Sequence, residues 1–235
     1  MKVLGLDFET TGLDAAKDRV IEIGAVLWDA EKRMPVKMLN ELVFPEGITE
    51  LPPIITKITG LDVETLKEHG QSFSNVFPKL TELLNGADYV MAHNAPFDRG
   101  FLEAEAKRLD TDLAGLVWLD SRTDLPPEAY AKGKSASLGY LAADHGFLNP
   151  FPHRAVTDVL TMLKLVDNYD FGRIIEYSQS PTITVAAMVS FHTKEKAKTC
   201  GFHWNGPKKQ WLRNVKACDL EVYKKDWDFQ IREVL

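Results

Sequence analysis

Apolar and polar positions divide the chain into strand-like and helix-like stretches. Residues 3–11, Val-Leu-Gly-Leu-Asp-Phe-Glu-Thr-Thr, have strand character. With a period of two, Leu4, Leu6 and Phe8 leave one face and Val3, Gly5, Asp7 and Glu9 the other. Residues 19–28 form a near-continuous apolar run, which predicts a central strand buried on both faces. Residues 36–44 predict a third strand, closed by Pro45, with 29–33 as the hairpin turn. Three antiparallel strands followed by helices predict a mixed sheet.

Further along, 51–66 holds short helical pieces broken by Pro52-Pro53 and Gly60. A helix over 75–84 carries its apolar stripe at Val76, Phe77, Leu80, Leu83 and Leu84, with Pro78 tolerated in the first turn. Residues 88–92 predict a fourth strand, 96–109 a helix with Pro96 at its first position, and 116–120 a short fifth strand. The loop 121–135, with Pro126-Pro127 and Lys-Gly-Lys at 132–134, is expected to be mobile. Helices follow over 137–144, stopped by Gly146, and over 154–168. Composition shifts near Ser178-Gln-Ser-Pro181, so the expected domains are 1–177 and 178–235. The second reads as a small α+β module, with strands at 182–191 and 229–234, a helix over 217–225 and a turn at Asn205-Gly206.

The 235 residues suffice to bury a proper core. No apolar run reaches the length of a membrane span, and an early charge argues against a signal peptide, so a cytoplasmic location is expected. Cys200 and Cys218 provide no disulfide framework. Net charge is −6, but residues 178–235 hold ten basic against six acidic side chains, a surplus of +4 that leaves −10 for the rest. An acidic body with a basic appendage suits a polyanion bound through the appendage and through metal ions in the body.

Asp7 and Glu9 are the first candidate site. Like charges sharing a strand face repel, and no cation follows to balance them, whereas a divalent metal would take both carboxylates. Asp98 lies in the first turn of a helix, where the macrodipole alone would justify it. Asp158 adjoins the buried stripe of Val156 and Val159, an expensive place for an acid unless it is paired or bound to metal. His153 precedes it by five residues.

These residues stand in three ordered motifs: Asp7-Phe-Glu9-Thr10-Thr11-Gly12-Leu13, His93-Asn-Ala-Pro-Phe-Asp98 and His153-Arg-Ala-Val-Thr-Asp158. The chain resembles the DEDDh family of 3'-to-5' exonucleases over residues 1–170. The resemblance implies a ribonuclease-H-like α/β fold, a mixed five-stranded sheet flanked by helices. It implies that Asp7, Glu9, Asp98 and Asp158 hold two Mg²⁺ or Mn²⁺ ions about 4 Å apart, with Asp7 bridging. His153 would be the general base, and nucleoside 5'-monophosphates the products. Thr10 would meet the terminal sugar, and Asn94 and Phe97 the strand, although Phe97 suits a core position equally well. The expected partners are single-stranded DNA or DNA 3' ends, with RNA possible, and a polymerase or other DNA-processing enzyme. The motifs do not separate an exodeoxyribonuclease from an exoribonuclease. A non-catalytic binding protein that has kept the fold is disfavoured by the intact acids.

Between 191 and 216, aromatics and cations interleave, as suits a single strand; residues 194–211 also loosely resemble short modules attached to DNA-processing enzymes. Lys208, Lys209 and Trp211 are the candidate contacts there. Phe202, Trp204 and Trp211 serve equally as the core of a small domain, and most of these aromatics are expected to be buried. Cys200, His203 and Cys218 lack the spacing of a zinc site.

Overall fold

A computed structural model describes residues 1–130 and 136–234. The chain divides into two compact units, Met1–Ile174 and Ile175–Leu235. The first is built on β1 (Lys2–Thr10), β2 (Val20–Asp29) and β3 (Met34–Leu42), then α1 (Pro53–Thr59), α2 (Val63–His69) and α3 (Phe73–Asn85). It continues with β4 (Tyr89–Ala92), α4 (Ala95–Arg108), β5 (Trp118–Asp120), α5 (Leu138–Asp144) and α6 (Ala155–Val166), and α7 (Phe171–Gln179) carries the division between units.

The five strands form one mixed sheet in the order β3-β2-β1-β4-β5, with β1, β2 and β3 antiparallel and β4 and β5 parallel to β1. This is the α/β architecture expected. The period of two in β1 decides its layers. Leu4, Leu6 and Phe8 enter a core shared with Val76, Leu80 and Leu84 of α3 and Phe101 and Leu102 of α4. The opposite face lies beneath α6: a Cβ added at Gly5 would come 2.7 Å from Val159, and one at Gly24 would meet the backbone of Ala155 and Val156 at 2.3 Å. Glycine at these two positions lets α6 lie directly on the strands.

Several boundaries differ from the sequence expectation. The helix α3 begins at Phe73, capped by the Ser72 side chain on the Asn75 amide, so Pro78 falls beyond the first turn. Asn94 rather than Ala95 precedes α4, and Arg154 is the residue before α6 rather than part of it. Pro52 and Pro53 start α1 instead of breaking it, since a missing amide costs nothing in the first turn. The helix α7 has no counterpart in the expectation; Gly172 weakens its local signal, and only Ile174 is fully buried on it. Pro127–Tyr130 form a 3-10 turn in the loop expected to be mobile, while its Lys-Gly-Lys run lies outside the described residues.

The second unit is an antiparallel sheet in the order β7-β8-β6-β9. It is made of β6 (Thr182–Ala187), β7 (His203–Asn205), β8 (Gln210–Lys216) and β9 (Ile231–Val234), with α8 (Lys194–Thr199) and α9 (Leu220–Asp226). The strand expected over 182–191 stops at Ala187, and Phe191 enters a 3-10 turn. Val185, Ala197, Phe202, Val215 and Trp227 make its core. The expectation of buried aromatics holds for Phe202, but Trp204 is 55% exposed on the edge strand β7 and Trp211 is half-buried. No helix among the described residues is long and apolar enough to cross a membrane.

Candidate active site

The two carboxylates of β1 sit at its carboxyl end, the usual place for a site in a sheet of this kind. Glu9 pairs in register with Glu22, and the next pair, Thr10 with Val20, skips Ile21. This bulge turns Ile21 into a separate apolar cluster with Leu51, Leu61 and Leu66. Glu22 is completely buried and receives a fork from Arg154, with Nε at 3.1 Å from both oxygens and Nη2 at 2.9 Å, plus the Ala155 amide at 3.3 Å. A buried acid is thus neutralised beside Glu9.

Asp98 projects from the first turn of α4 and is 2% exposed. Its Oδ1 accepts from the Phe8 amide at 3.0 Å, in the main chain between Asp7 and Glu9. Asp158, in the first turn of α6, accepts from the His153 amide at 3.0 Å and from Nδ2 of Asn149. Ligating atoms of Glu9, His153 and Asp158 lie within 4.8 Å of one another. Asp7 and Asp98 stand outside that tightest group but within electrostatic reach.

Burial dominates the acidity of all four carboxylates and favours their protonated forms. Asp7 is raised by burial and then by repulsion from Asp98, Glu9 and Asp158. Asp98 is raised by burial, with the Phe8 amide opposing. Glu9 is pushed from 4.5 to about 8 by burial, Asp158 and Glu22, with Arg154 opposing, and burial also raises Asp158. Among the described residues, four crowded acids share only Arg154, already forked onto Glu22, and Arg122 of the cleft lining, so negative charge is in excess. Their donor set of hard oxygens fits a divalent cation, which would relieve every one of these repulsions.

A cleft of about 620 Å³ opens over Asp7, Glu9, Asp158 and His153. Asn94 lines it in a left-handed conformation (φ 86°), its amide donating to Asp120 Oδ1 at 2.9 Å and its side-chain oxygen accepting from Arg122. His153 also has a positive φ of 62°, an uncommon geometry that turns its backbone amide onto Asp158. His93 contacts the Ser121 hydroxyl and the Ala136 carbonyl; burial lowers its pKa.

The remaining expected contacts lie elsewhere. Phe97 packs on the core with its ring 4.9 Å from Phe101, and the Thr10 hydroxyl donates to the Gly12 carbonyl at 2.6 Å; neither lines the cleft. Lys208, Lys209 and Trp211 belong to the second unit. Glu22, Arg154, Asn149 and Arg122 do not stand out in the sequence. A lone glutamate inside an apolar strand is the signal that could have found Glu22, since it demands a cation.

Fold and cleft together define a nuclease of the DEDDh kind, with Asp, Glu, Asp, Asp and His on a ribonuclease-H-like sheet. Residues 4–166 match the RNase T exonuclease family, and the chain belongs to that family. Residues 183–234 match a domain of unknown function. Among similar proteins, a PolC-type DNA polymerase III of Caldanaerobacter subterraneus is 35% identical over 152 residues, 65% of this chain but 10% of the relative. The DNA polymerase III epsilon subunit of Treponema pallidum is 29% identical, across 75% of this chain and 83% of the relative. The 3'-5' exonuclease DinG of Bacillus subtilis is 29% identical, across 80% of this chain and 19% of the relative. The chain therefore spans only a small part of the PolC and DinG proteins. The nuclease domain of 3'hExo, a DEDDh family member solved with rAMP, shares the fold at a TM-score of 0.58 and 15% identity, covering 71% of this chain and 90% of that one.

Proposed function

We propose that the chain is a 3'-to-5' exonuclease that removes nucleoside 5'-monophosphates from the 3' ends of DNA, preferring single strands, in the cytoplasm and beside a polymerase or another DNA-processing enzyme. The carrying observation is the gathering of Asp7 and Glu9 of β1, Asp158 of α6 and His153 around one cleft, with Asp98 of α4 buried beside them on the Phe8 amide and repelling Asp7. Asp7, Glu9, Asp98 and Asp158 are the residues that would hold two Mg²⁺ or Mn²⁺ ions. When bound, such ions supply an activated water and positive charge against the phosphate.

The chain's own residues do the rest. The Phe8 amide holds Asp98 in the buried layer behind the β1 carboxylates, and Asn149 and the His153 amide hold Asp158 at the cleft, so neither side chain has to search rotamers. The imidazole of His153 accepts a proton from the water whose oxygen bonds to phosphorus; the bond from phosphorus to the preceding nucleotide's 3' oxygen breaks, that oxygen takes a proton from solvent, and the terminal nucleotide leaves with its 5' phosphate. Asn94 and Arg122 border the path of the strand. In the second unit, Lys208, Lys209 and Trp211 hold single-stranded DNA. Names of the relatives support DNA; the rAMP bound to the solved neighbour favours a second reading, an exoribonuclease.

The deciding experiment incubates the purified chain and Mn²⁺ with 5'-labelled single-stranded DNA and RNA of one sequence. A ladder shortening from the 3' end, with mononucleotide release and faster loss of DNA, is expected. Faster loss of RNA would select the second reading. No mononucleotide from either polymer would end the enzyme assignment.

A further inference from the structure

The second unit carries a groove of about 960 Å³ that is left open by the described residues. Met188, Phe191 and Trp204, which line it, are 57%, 75% and 55% exposed. Burying one such side chain would typically gain about 1.5–3 kcal/mol, and single exposed apolar residues are ordinary, but three in one groove mark a binding surface.

Charge decides which kind. Lys194, Lys209 and Arg232 also line the groove, and none of the described lining residues is acidic. Elsewhere in the unit, Lys196 pairs with Asp228, Lys198 with Glu195 and Lys224 with Glu221. Among the described residues, the three groove cations have no such carboxylate partner. The Lys194 ammonium instead lies 3.8 Å from the centre of the Phe191 ring. Trp211 stands in register with Trp204 on the neighbouring strand, ring centroids 5.8 Å apart, and props it outward. The turn at 206–209 brings up Lys209 with φ at 51°.

An apolar peptide would satisfy the rings and strand three cations without partners, which is costly in a desolvated groove. A nucleic-acid single strand satisfies both classes at once, because each base offers a stacking face and each phosphate a charge. We propose that this groove binds single-stranded nucleic acid, with bases stacked on Phe191 and Trp204 and phosphates held by Lys194, Lys209 and Arg232. The inference rests on the reading of the chain as an enzyme acting on polynucleotides, and deepens it by assigning a contact surface on the second unit. Lys208 lines a different groove, with His203 and Asn214, and is not part of this one.

The test uses the full chain in EDTA, with fluorescent oligothymidylate of about 12 nucleotides and a matched RNA. Binding is followed by anisotropy and by tryptophan emission. Phe191→Ala and Trp204→Ala are expected to weaken binding about tenfold or more each. Trp204→Phe should keep affinity while most of the oligonucleotide-induced quench disappears. Lys194→Ala with Lys209→Ala should lower the slope of log K against log salt by about 1.4, from about 0.7 per cation. Far-ultraviolet circular dichroism checks that each variant is folded. Wild-type affinity and salt slope in all the folded Ala variants would overturn the proposal and leave the groove to a protein partner. If wild type releases no mononucleotide with Mn²⁺ while these variants lose affinity, the groove stands and the exonuclease reading falls. Release by wild type with unchanged binding in the variants would remove the groove and keep the exonuclease.

Discussion

Glu9 and Glu22 stand directly opposite each other across the β1–β2 ladder, and of the two only Glu22 has an ion-pair partner among the described residues. Like charges so placed repel, so the pair is tolerable because Arg154 forks onto Glu22 and leaves Glu9 to face the cleft. The guanidinium also draws the pKa of Glu9 downward, against burial.

Arg154→Gln is therefore expected to leave Glu22 buried and unpaired, destabilising the metal-free protein by about 3–5 kcal/mol. The double variant Glu22→Gln with Arg154→Gln should recover most of the loss. Urea unfolding of both checks this; equal losses in the two would show that the charge pair is not the cause.

Asp98 accepts from the Phe8 amide, and that task is separable from the metal binding proposed for it. Asp98→Asn keeps an oxygen for the Phe8 amide while removing the charge, so it should melt at or above the wild-type temperature and lose at least about 100-fold in mononucleotide release. Asp98→Ala leaves that amide unsatisfied in a buried place and should cost about 1–3 kcal/mol in addition to activity. Thermal melts beside a release assay separate the two effects.

Gly24 lies opposite Asp7 in the ladder and directly under the start of α6. A Cβ there would collide with backbone rather than with a flexible side chain. Gly24→Ala should push α6 outward, carry Asp158 away from Glu9, destabilise the chain by about 2 kcal/mol or more and abolish release. Retained stability and activity would mean that the sheet absorbs the methyl without moving α6.

Without metal, stability should fall as pH rises. Glu9 holds its proton in the folded chain up to about pH 8 but releases it near 4.5 when unfolded, so the folded state binds more protons between these values. The contribution is complete below pH 4.5 and is lost as pH rises through about 8; the raised pKa values of Asp7, Asp98 and Asp158 act in the same direction. Melting in EDTA from about pH 5 to 9 should show this decline, and Mg²⁺ or Mn²⁺ should raise the melting temperature more at about pH 8 than at about pH 5. A melting temperature that rises with pH would contradict the electrostatics of the cleft.

His153 is exposed and contributes its amide, not its ring, to the hydrogen bond with Asp158. His153→Ala should keep the fold and the metal-induced rise in melting temperature while slowing release about 10²–10⁴-fold. Loss of the metal response would reassign the imidazole as a ligand.

Much of this was legible in the chain itself. Strand periodicity placed Asp7 and Glu9 on the face opposite Leu4, Leu6 and Phe8, and three ordered motifs marked Asp98, His153 and Asp158. Such features are local: they depend on neighbours within one strand or one turn, so spacing records them. The residues that hold the acids in position were not local. Arg154 reaches Glu22 across 132 residues, and Phe8 reaches Asp98 across 90.

The exposure of Trp204 belongs to the same class, because composition favoured a core aromatic and only the edge position of β7 leaves it open. Sequence by itself determined which side chains are the candidates for the chemistry and which strand face Asp7 and Glu9 share. Tertiary structure decided which helix lies on which face, through the missing Cβ atoms of Gly5 and Gly24 and the bulge at Ile21. A carboxylate's partner and a ring's burial depend on that packing, which no local preference encodes.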